Sequence, residues 1–283
     1  MKKSLLGAAA FFLLSLAPTP PAWSESQSAP KFDKVMIVIL ENANYSDAIA
    51  QPFMGMFAKD GALLSDFRAL SRPSLPNYIA LTAGTVAGTT SNDPVSVRVR
   101  HIGDLLEARG KTWKVYAESY PGNCFLGGKS GDYVRHHVPF LSFENIQTDA
   151  RRCSRIVSAS TLNEDAARGA LPDYSLYIPD QKNNGHDTGA AYADRWLERT
   201  FAPLRKNTAF MKGLLLVVTF DEAGNDASNH IYTAFAGESV RSGSVSTKAY
   251  NHYSLLRTVE DAFALGTLGK NDALASPITG VWK

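Results

Sequence analysis

Apolar and polar positions fall into short blocks along the chain, and the blocks follow two periods. After Lys34, the segment Lys34–Leu40 (KVMIVIL) is entirely apolar and rich in β-branched residues. Leu214–Phe220 (LLLVVTF) reads the same way and is the clearest case. Such runs predict strands buried on both faces. Residues 112–117 (TWKVYA), Tyr174–Ile178 (YSLYI) and residues 230–236 (HIYTAFA) are further candidate strands. Between these runs the spacing becomes helical. Residues 102–109 end at Gly110, a suitable C-cap. Residues 190–201 place Tyr192, Trp196, Leu197 and Phe201 one or two turns apart. Residues 253–265 do the same with Leu255, Leu256, Val259, Phe263 and Leu265. Strands alternating with helices predict an α/β fold with a mainly parallel central sheet flanked by helices. Residues 118–170 show weak periodicity and read as an excursion from that plan. No internal repeat is visible.

The N-terminus departs from the pattern. Lys2 and Lys3 precede an apolar stretch from Leu5 to Leu16, which Pro18, Pro20 and Pro21 interrupt. The stretch falls short of the roughly 20 residues a membrane span needs, and Ala22-Trp23-Ser24 supplies small residues for cleavage. This predicts a signal peptide over residues 1–24 and a single domain over residues 25–283 in a periplasmic or secreted protein, with no integral membrane segment after signal removal. The formal net charge of +2 falls to zero without Lys2 and Lys3, which sets nucleic acid aside as a partner. The chain has two cysteines, Cys124 and Cys153. In an exported protein an even count suggests one disulfide, here closing a loop of about 30 residues. The alternative is two free thiols. Without a third thiol, a cysteine-ligated zinc is disfavoured.

Candidate chemistry collects at strand ends. Glu41-Asn42 follows the first strand, Asp180 follows the third after Pro179, and Asp221-Glu222 follows the fourth. Parallel strands bring their carboxyl ends to one edge, where ligands of open α/β sheets bind. Acids gathered there repel one another unless a cation neutralises them, so an oxygen-rich cluster suggests a divalent metal. Read singly, each acid is more readily a solvated turn residue or a helix cap; it is the three on one edge that bring the metal reading level. Ser74 precedes Pro76, a residue suited to the first turn of a helix. It therefore lies at a helix N-terminus, where backbone N–H groups favour an anion such as phosphate. There it serves either as a nucleophile or as a simple N-cap. The six histidines include His137, His186, His230 and His252 in polar contexts. HExxH, GxSxG and P-loop motifs are absent, which disfavours a zincin, an α/β-hydrolase and a nucleotide triphosphatase.

Five motifs in order carry a resemblance: Ile39-Leu40-Glu41-Asn42, Pro73-Ser74-Leu75-Pro76-Asn77-Tyr78, Gly185-His186-Asp187, Thr219-Phe220-Asp221-Glu222, and the run from His252 to Asp261 (HYSLLRTVED). Over roughly residues 34 to 266, the chain resembles the bacterial phosphoesterase family of acid phosphatases and phospholipases C, within the alkaline phosphatase superfamily. The resemblance implies a hydrolase acting on phosphoric esters, with a divalent metal of unspecified identity and number and a small phosphate ester as substrate. Ser74 matches the nucleophile, which also touches the metal. Glu41 and Asn42 match the first ligand pair, and Asp221 and Glu222 a tandem acidic pair. Members of this type often have Asp-Asp at that pair, so Glu222 is a departure. Asn92 resembles a residue that contacts phosphate oxygens. His137 and His186 resemble the phosphate-contacting or leaving-group histidines. Asp180 lies six residues before His186, further than in two-metal relatives, so the resemblance implies a place behind the metal ligands or at a second metal for it. His230 and His252 stand where some relatives place further ligands.

The implied activity is hydrolysis of phosphate monoesters through a phosphoserine at Ser74. A phosphodiesterase or phospholipase C, and a non-catalytic phosphate- or metal-binding protein, are the alternatives. A sulfatase is disfavoured because Ser74-Leu75-Pro76-Asn77-Tyr78 lacks the modification arginine.

Overall fold

The computed structural model describes residues 30–283. The signal peptide expected over residues 1–24 lies outside the described residues. Eight strands form one sheet: β1 (Lys34–Leu40), β2 (Ala62–Leu64), β3 (Trp113–Ala117), β4 (Ile156–Ser158), β5 (Tyr174–Ile178), β6 (Leu214–Phe220), β7 (Thr233–Ala236) and β8 (Ser244–Ser246). Their order across the sheet is β8-β2-β7-β6-β1-β5-β3-β4. All pairings are parallel except those of β7, which runs against β6 and β2. The expected mainly parallel α/β sheet is the observed one.

β1 and β6 form the centre and pair over seven positions, from Lys34 with Leu214 to Leu40 with Phe220. Every β6 residue is buried, as is every β1 residue after Lys34. That explains their near-continuous apolar sequence: helices cover both faces, so neither face calls for polar alternation. Four helices matter to the site: α1 (Ser74–Ala83), α2 (Ile102–Ala108), α3 (Ala190–Lys206) and α4 (His252–Ala262). α1 is buried at every position and packs against α4. Gly84 ends it in the left-handed conformation at φ 66°, where glycine carries no Cβ penalty. Asn251 starts α4 with a capping box, accepting from the Tyr253 and Ser254 N–H groups.

Three expectations change in detail. Residues 230–236 do not form one strand: His230–Ile231 pairs with Phe67–Arg68 in a separate ribbon, and only Thr233–Ala236 joins the sheet, antiparallel. The reason is the connection from β6, which contains turns and no helix; without a crossover element a strand returns beside its predecessor in the opposite direction. α3 continues past Phe201 to Lys206 and carries Pro203 within it. The excursion over residues 118–170 is less separate than expected, because β4 returns from it to form the sheet edge. Cys124 and Cys153 are joined within it, with Cα atoms 5.6 Å apart. No helix among the described residues is long and apolar enough to cross a membrane.

Candidate active site at the carboxyl edge of the sheet

The parallel strands β1 and β6 deliver Glu41 and Asp221-Glu222 to one edge, and two backbone bonds fix them there. The Asp221 N–H donates to the Leu40 carbonyl at 3.1 Å, and the Glu41 N–H donates to the Asn184 carbonyl at 2.9 Å. Asn42 turns the chain away with φ 56°, a left-handed conformation that Asn tolerates better than most residues. Gly224 lies against that turn: a Cβ there would come within 2.9 Å of the Asn42 carbonyl oxygen.

Ser74 is the first residue of α1 and is buried. Its Oγ lies 3.2 Å from Glu41 Oε2 and 3.4 Å from Glu222 Oε1. The segment leading to it is held by amide side chains. Asn77 Oδ1 accepts from the Leu70 and Ser71 N–H groups at 3.0 and 3.1 Å, and its Nδ2 donates to the Ser71 carbonyl at 2.9 Å. Asn229 donates to the same carbonyl at 3.0 Å and accepts from the Ala223 N–H at 2.9 Å. Arg72 donates to the carbonyls of Ala223, Gly224 and Asp226. The turn before Ser74 and the loop after Glu222 are thus stitched together. Asn92 Oδ1 accepts from the Leu75 N–H at 2.9 Å, which places this side chain beside the Ser74 helix start.

The electrostatics of the cluster are those of acids without enough counter-charge. Burial, then the neighbouring Asp221, raises Glu41 well above the carboxylate range. Burial, then Glu222, does the same to Asp221. Glu222 is raised by burial, partly offset by Arg72, whose Nη1 is 4.0 Å from Glu222 Oε2. Four buried oxygens find no hydrogen-bond partner: Asn42 Oδ1, both Asp221 carboxylate oxygens and Glu222 Oε2. Unsatisfied buried acceptors are uncommon and call for a reason. Hard oxygen donors gathered in this way fit a divalent cation. Among the described residues no three His, Cys, Asp or Glu side chains form a metal-holding group by themselves. Ser74 Oγ and Asn42 Oδ1 are further oxygen atoms at the same edge.

The histidines divide by position. His137 is fully buried; its Nε2 lies 3.2 Å from Glu41 Oε1, and its ring stacks on Tyr78. Burial, then His136 and His186, pulls it well below the usual histidine range. His136 packs edge-on against His137 and is lowered to about 4, chiefly by burial. His186 is partly exposed, and its Nδ1 is 2.7 Å from Asp187 Oδ1. His252 is buried behind the cluster with Nε2 2.8 Å from the Asp221 carbonyl, and burial lowers it to about 4. It supports the Asp221 backbone. His230 stacks on Tyr45 and bonds the Ser65 carbonyl at 2.9 Å, with no contact to the acids. Asp180 is likewise outside the cluster: it accepts from Ser119 Oγ at 2.9 Å and from the Lys182 and Asn183 N–H groups at 3.2 and 3.0 Å. It shapes the loop that carries Asn184 and His186.

The sequence assigned no role to Tyr78, Asn184, Arg72 or Asn229. Tyr78 had a readable signal, four residues after Ser74 on the same helix. The others are long-range loop contacts with none.

The model of the Phosphoesterase family matches residues 42–266. A probable acid phosphatase of Kluyveromyces lactis is 32% identical over 258 residues, covering 87% of this chain and 61% of that protein. The acid phosphatase of Aspergillus fumigatus is 31% identical, covering 87% and 58%. The chain thus spans about three fifths of the length of these fungal relatives. A phosphatidylinositol-3-phosphatase of Mycobacterium tuberculosis is 32% identical over 286 residues, covering 99% and 93%. Among solved structures, a Vibrio parahaemolyticus protein of the alkaline phosphatase superfamily aligns with a TM-score of 0.57 at 12% identity, covering 89% of this chain and 73% of that one. The lipoteichoic acid synthase LtaP of Listeria monocytogenes aligns at 0.63 and 10%, covering 91% and 79%. The fold is that of the alkaline phosphatase superfamily, and the chain belongs to the phosphoesterase family.

Proposed function

We propose that the protein is an exported, metal-dependent phosphatase that hydrolyses phosphate monoesters through a phosphoserine at Ser74. One observation carries the reading: a buried serine hydroxyl at a helix N-terminus, within 3.4 Å of two carboxylates whose neighbours include unsatisfied buried acceptors. Glu41, Asn42, Ser74, Asp221 and Glu222 would hold the divalent cation. When bound, it would lower the pKa of the serine hydroxyl and offset phosphoryl charge.

The chain's own residues account for the rest. Ser74, its hydroxyl proton released to solvent, attacks phosphorus through Oγ, and the bond to the departing alcohol oxygen breaks in line with the new Oγ–P bond. The Asn92 amide nitrogen and the Ser74 N–H face the non-bridging oxygens, the Leu75 N–H being taken by Asn92 Oδ1. His186, the exposed histidine of the set, donates a proton to the leaving oxygen; Asp187 fixes its ring through Nδ1. His137 is too deeply buried for that task and stays with Glu41. Water then attacks the phosphoserine by the reverse geometry, with His186 taking its proton.

Monoesters are favoured because the relatives above are named acid phosphatases and a phosphatidylinositol-3-phosphatase. Export is supported by the Cys124–Cys153 bond, since disulfides persist in oxidising compartments. The test compares nitrophenyl phosphate, its bis-nitrophenyl diester and phosphatidylinositol 3-phosphate as substrates, with and without chelator. Monoester turnover that chelator abolishes and one divalent metal restores is the expected outcome. Faster turnover of the diester, or full activity after exhaustive chelation, overturns the reading.

A further inference from the structure

Tyr78 lies one helical turn after Ser74, so both side chains leave the same face of α1. Both meet the same carboxylate from different sides. Ser74 Oγ is 3.2 Å from Glu41 Oε2. The Tyr78 hydroxyl donates to Glu41 Oε1. The two oxygens of Glu41 therefore have separate partners.

His137 completes the arrangement around Oε1. Its ring lies nearly parallel to the Tyr78 ring, with centroids 5.2 Å apart and planes at 18°. Its Nδ1 is 3.4 Å from Asn184 Nδ2, an amide nitrogen that only donates. Nδ1 is thus the accepting nitrogen, and the ring hydrogen resides on Nε2, 3.2 Å from Oε1. That approach is close without being an aligned hydrogen bond. The Tyr78 hydroxyl is consequently the one well-formed donor to Oε1. It has no other side-chain or backbone partner among the described residues. Its ring stacking would persist without it.

We infer that Tyr78 is a positioning residue: by occupying Glu41 Oε1, it leaves the carboxylate to meet a divalent cation through Oε2 alone, next to Ser74 Oγ. The inference rests on the metal reading proposed above. A glutamate side chain has three rotatable torsions, and a carboxylate with both oxygens free can grip a cation with both. Two-oxygen capture would draw the cation toward Glu41 and away from the serine. A hydrogen bond made in a site closed to water resists that rotation more than one made at the surface. The four-residue spacing of Ser74 and Tyr78 sets the device. One rigid helix delivers the nucleophile and the clamp together, so their separation does not depend on loop conformation.

The test measures equilibrium binding of Mn²⁺ and of Mg²⁺ to chelator-treated protein by calorimetry, for wild type, Tyr78→Phe, Glu41→Gln and the double variant. Tyr78→Phe removes one oxygen and keeps the stacked ring. Losing a hydrogen bond to a charged group should weaken cation binding about ten-fold, while the unfolding midpoint of the metal-free form stays close to wild type. Because Tyr78 acts through Glu41, adding Tyr78→Phe to Glu41→Gln should weaken binding no further. Wild-type affinity in Tyr78→Phe overturns the inference, and so does an equal loss in the Glu41→Gln background. A Tyr78→Phe chain that fails to fold also overturns it, because the hydroxyl would then serve the core rather than the ligand. A wild-type protein that binds neither cation removes the metal reading itself, and this inference with it; binding by wild type that Tyr78→Phe leaves unchanged removes the inference alone.

Discussion

Replacing Glu222 with Gln should make the metal-free protein more stable while removing its function. Ser74 Oγ touches both Glu41 Oε2 and Glu222 Oε1, so these oxygens are separated by little more than one hydroxyl. Two carboxylates about 6 Å apart repel by about 3 kcal/mol at an effective dielectric of 20. Asp221, which Glu222 also pushes up, adds a comparable repulsion, and Arg72, 4.0 Å from Glu222 Oε2, takes back about 4 kcal/mol at the same dielectric, leaving about 2 kcal/mol. In a domain of this size each kcal/mol moves the unfolding midpoint by about 2–4 °C, so chelated Glu222→Gln should melt about 4–8 °C above chelated wild type at neutral pH. Glu41, Asp221 and Glu222 all hold protons more tightly in the fold than in the unfolded chain. Their contribution is fully present below the ordinary carboxylate range and is lost as pH rises through the raised values. The stability of chelated wild type should therefore fall from acid toward neutral pH, and fall less in the variant. Adding divalent metal should reverse the ranking: wild type gains about 2.7 kcal/mol at a metal concentration 100 times Kd, and the variant gains less. Differential scanning calorimetry with and without chelator, paired with nitrophenyl phosphate turnover, reads all of this. A chelated variant that melts at or below wild type would refute the reasoning.

Two further outcomes are expected. Ser74→Ala should lower kcat on a phosphate monoester by at least about 10³-fold, leaving the circular dichroism spectrum and most cation affinity intact; a variant keeping more than a small fraction of wild-type kcat would remove Ser74 as nucleophile. Glu260 is buried on α4 beside Asp272; burial, then Asp272, raises it to about 9. It is protonated in the fold from its unfolded range up to that value, so its contribution to stability falls by about 1.4 kcal/mol per pH unit across this window. Glu260→Gln, monitored by urea unfolding at pH 6 and pH 8, should flatten that slope. An unchanged slope would show that Glu260 ionises freely.

The strands that build the site were legible because they are buried on both faces. β1, β5 and β6 have the bounds that their apolar runs indicate. β2 and β8 were not, since three residues such as Ala62–Leu64 or Ser244–Ser246 are too short to show a period. β7 was placed but not oriented, because direction depends on the connection before it rather than on its own residues. Glu41, Ser74, Asp221 and Glu222 could be grouped from their places after strands and before a helix. The structure brings these four together, and it leaves Asp180 and His230 outside their contacts. Nothing local separates Asp180 from Asp221. The difference is that Ser119 and two backbone N–H groups claim the first, whereas the second is left without partners.

The hydrogen bond from the Asp221 N–H to the Leu40 carbonyl is both the last rung between β1 and β6 and the floor of the cleft. Glu41 enters near the start of the domain and Asp221 far along it, and neither can approach Ser74 until that pairing has closed to its end. A lesion in the pairing of β1 with β6 is therefore a lesion in the candidate site itself, however far from Ser74 the altered residue lies.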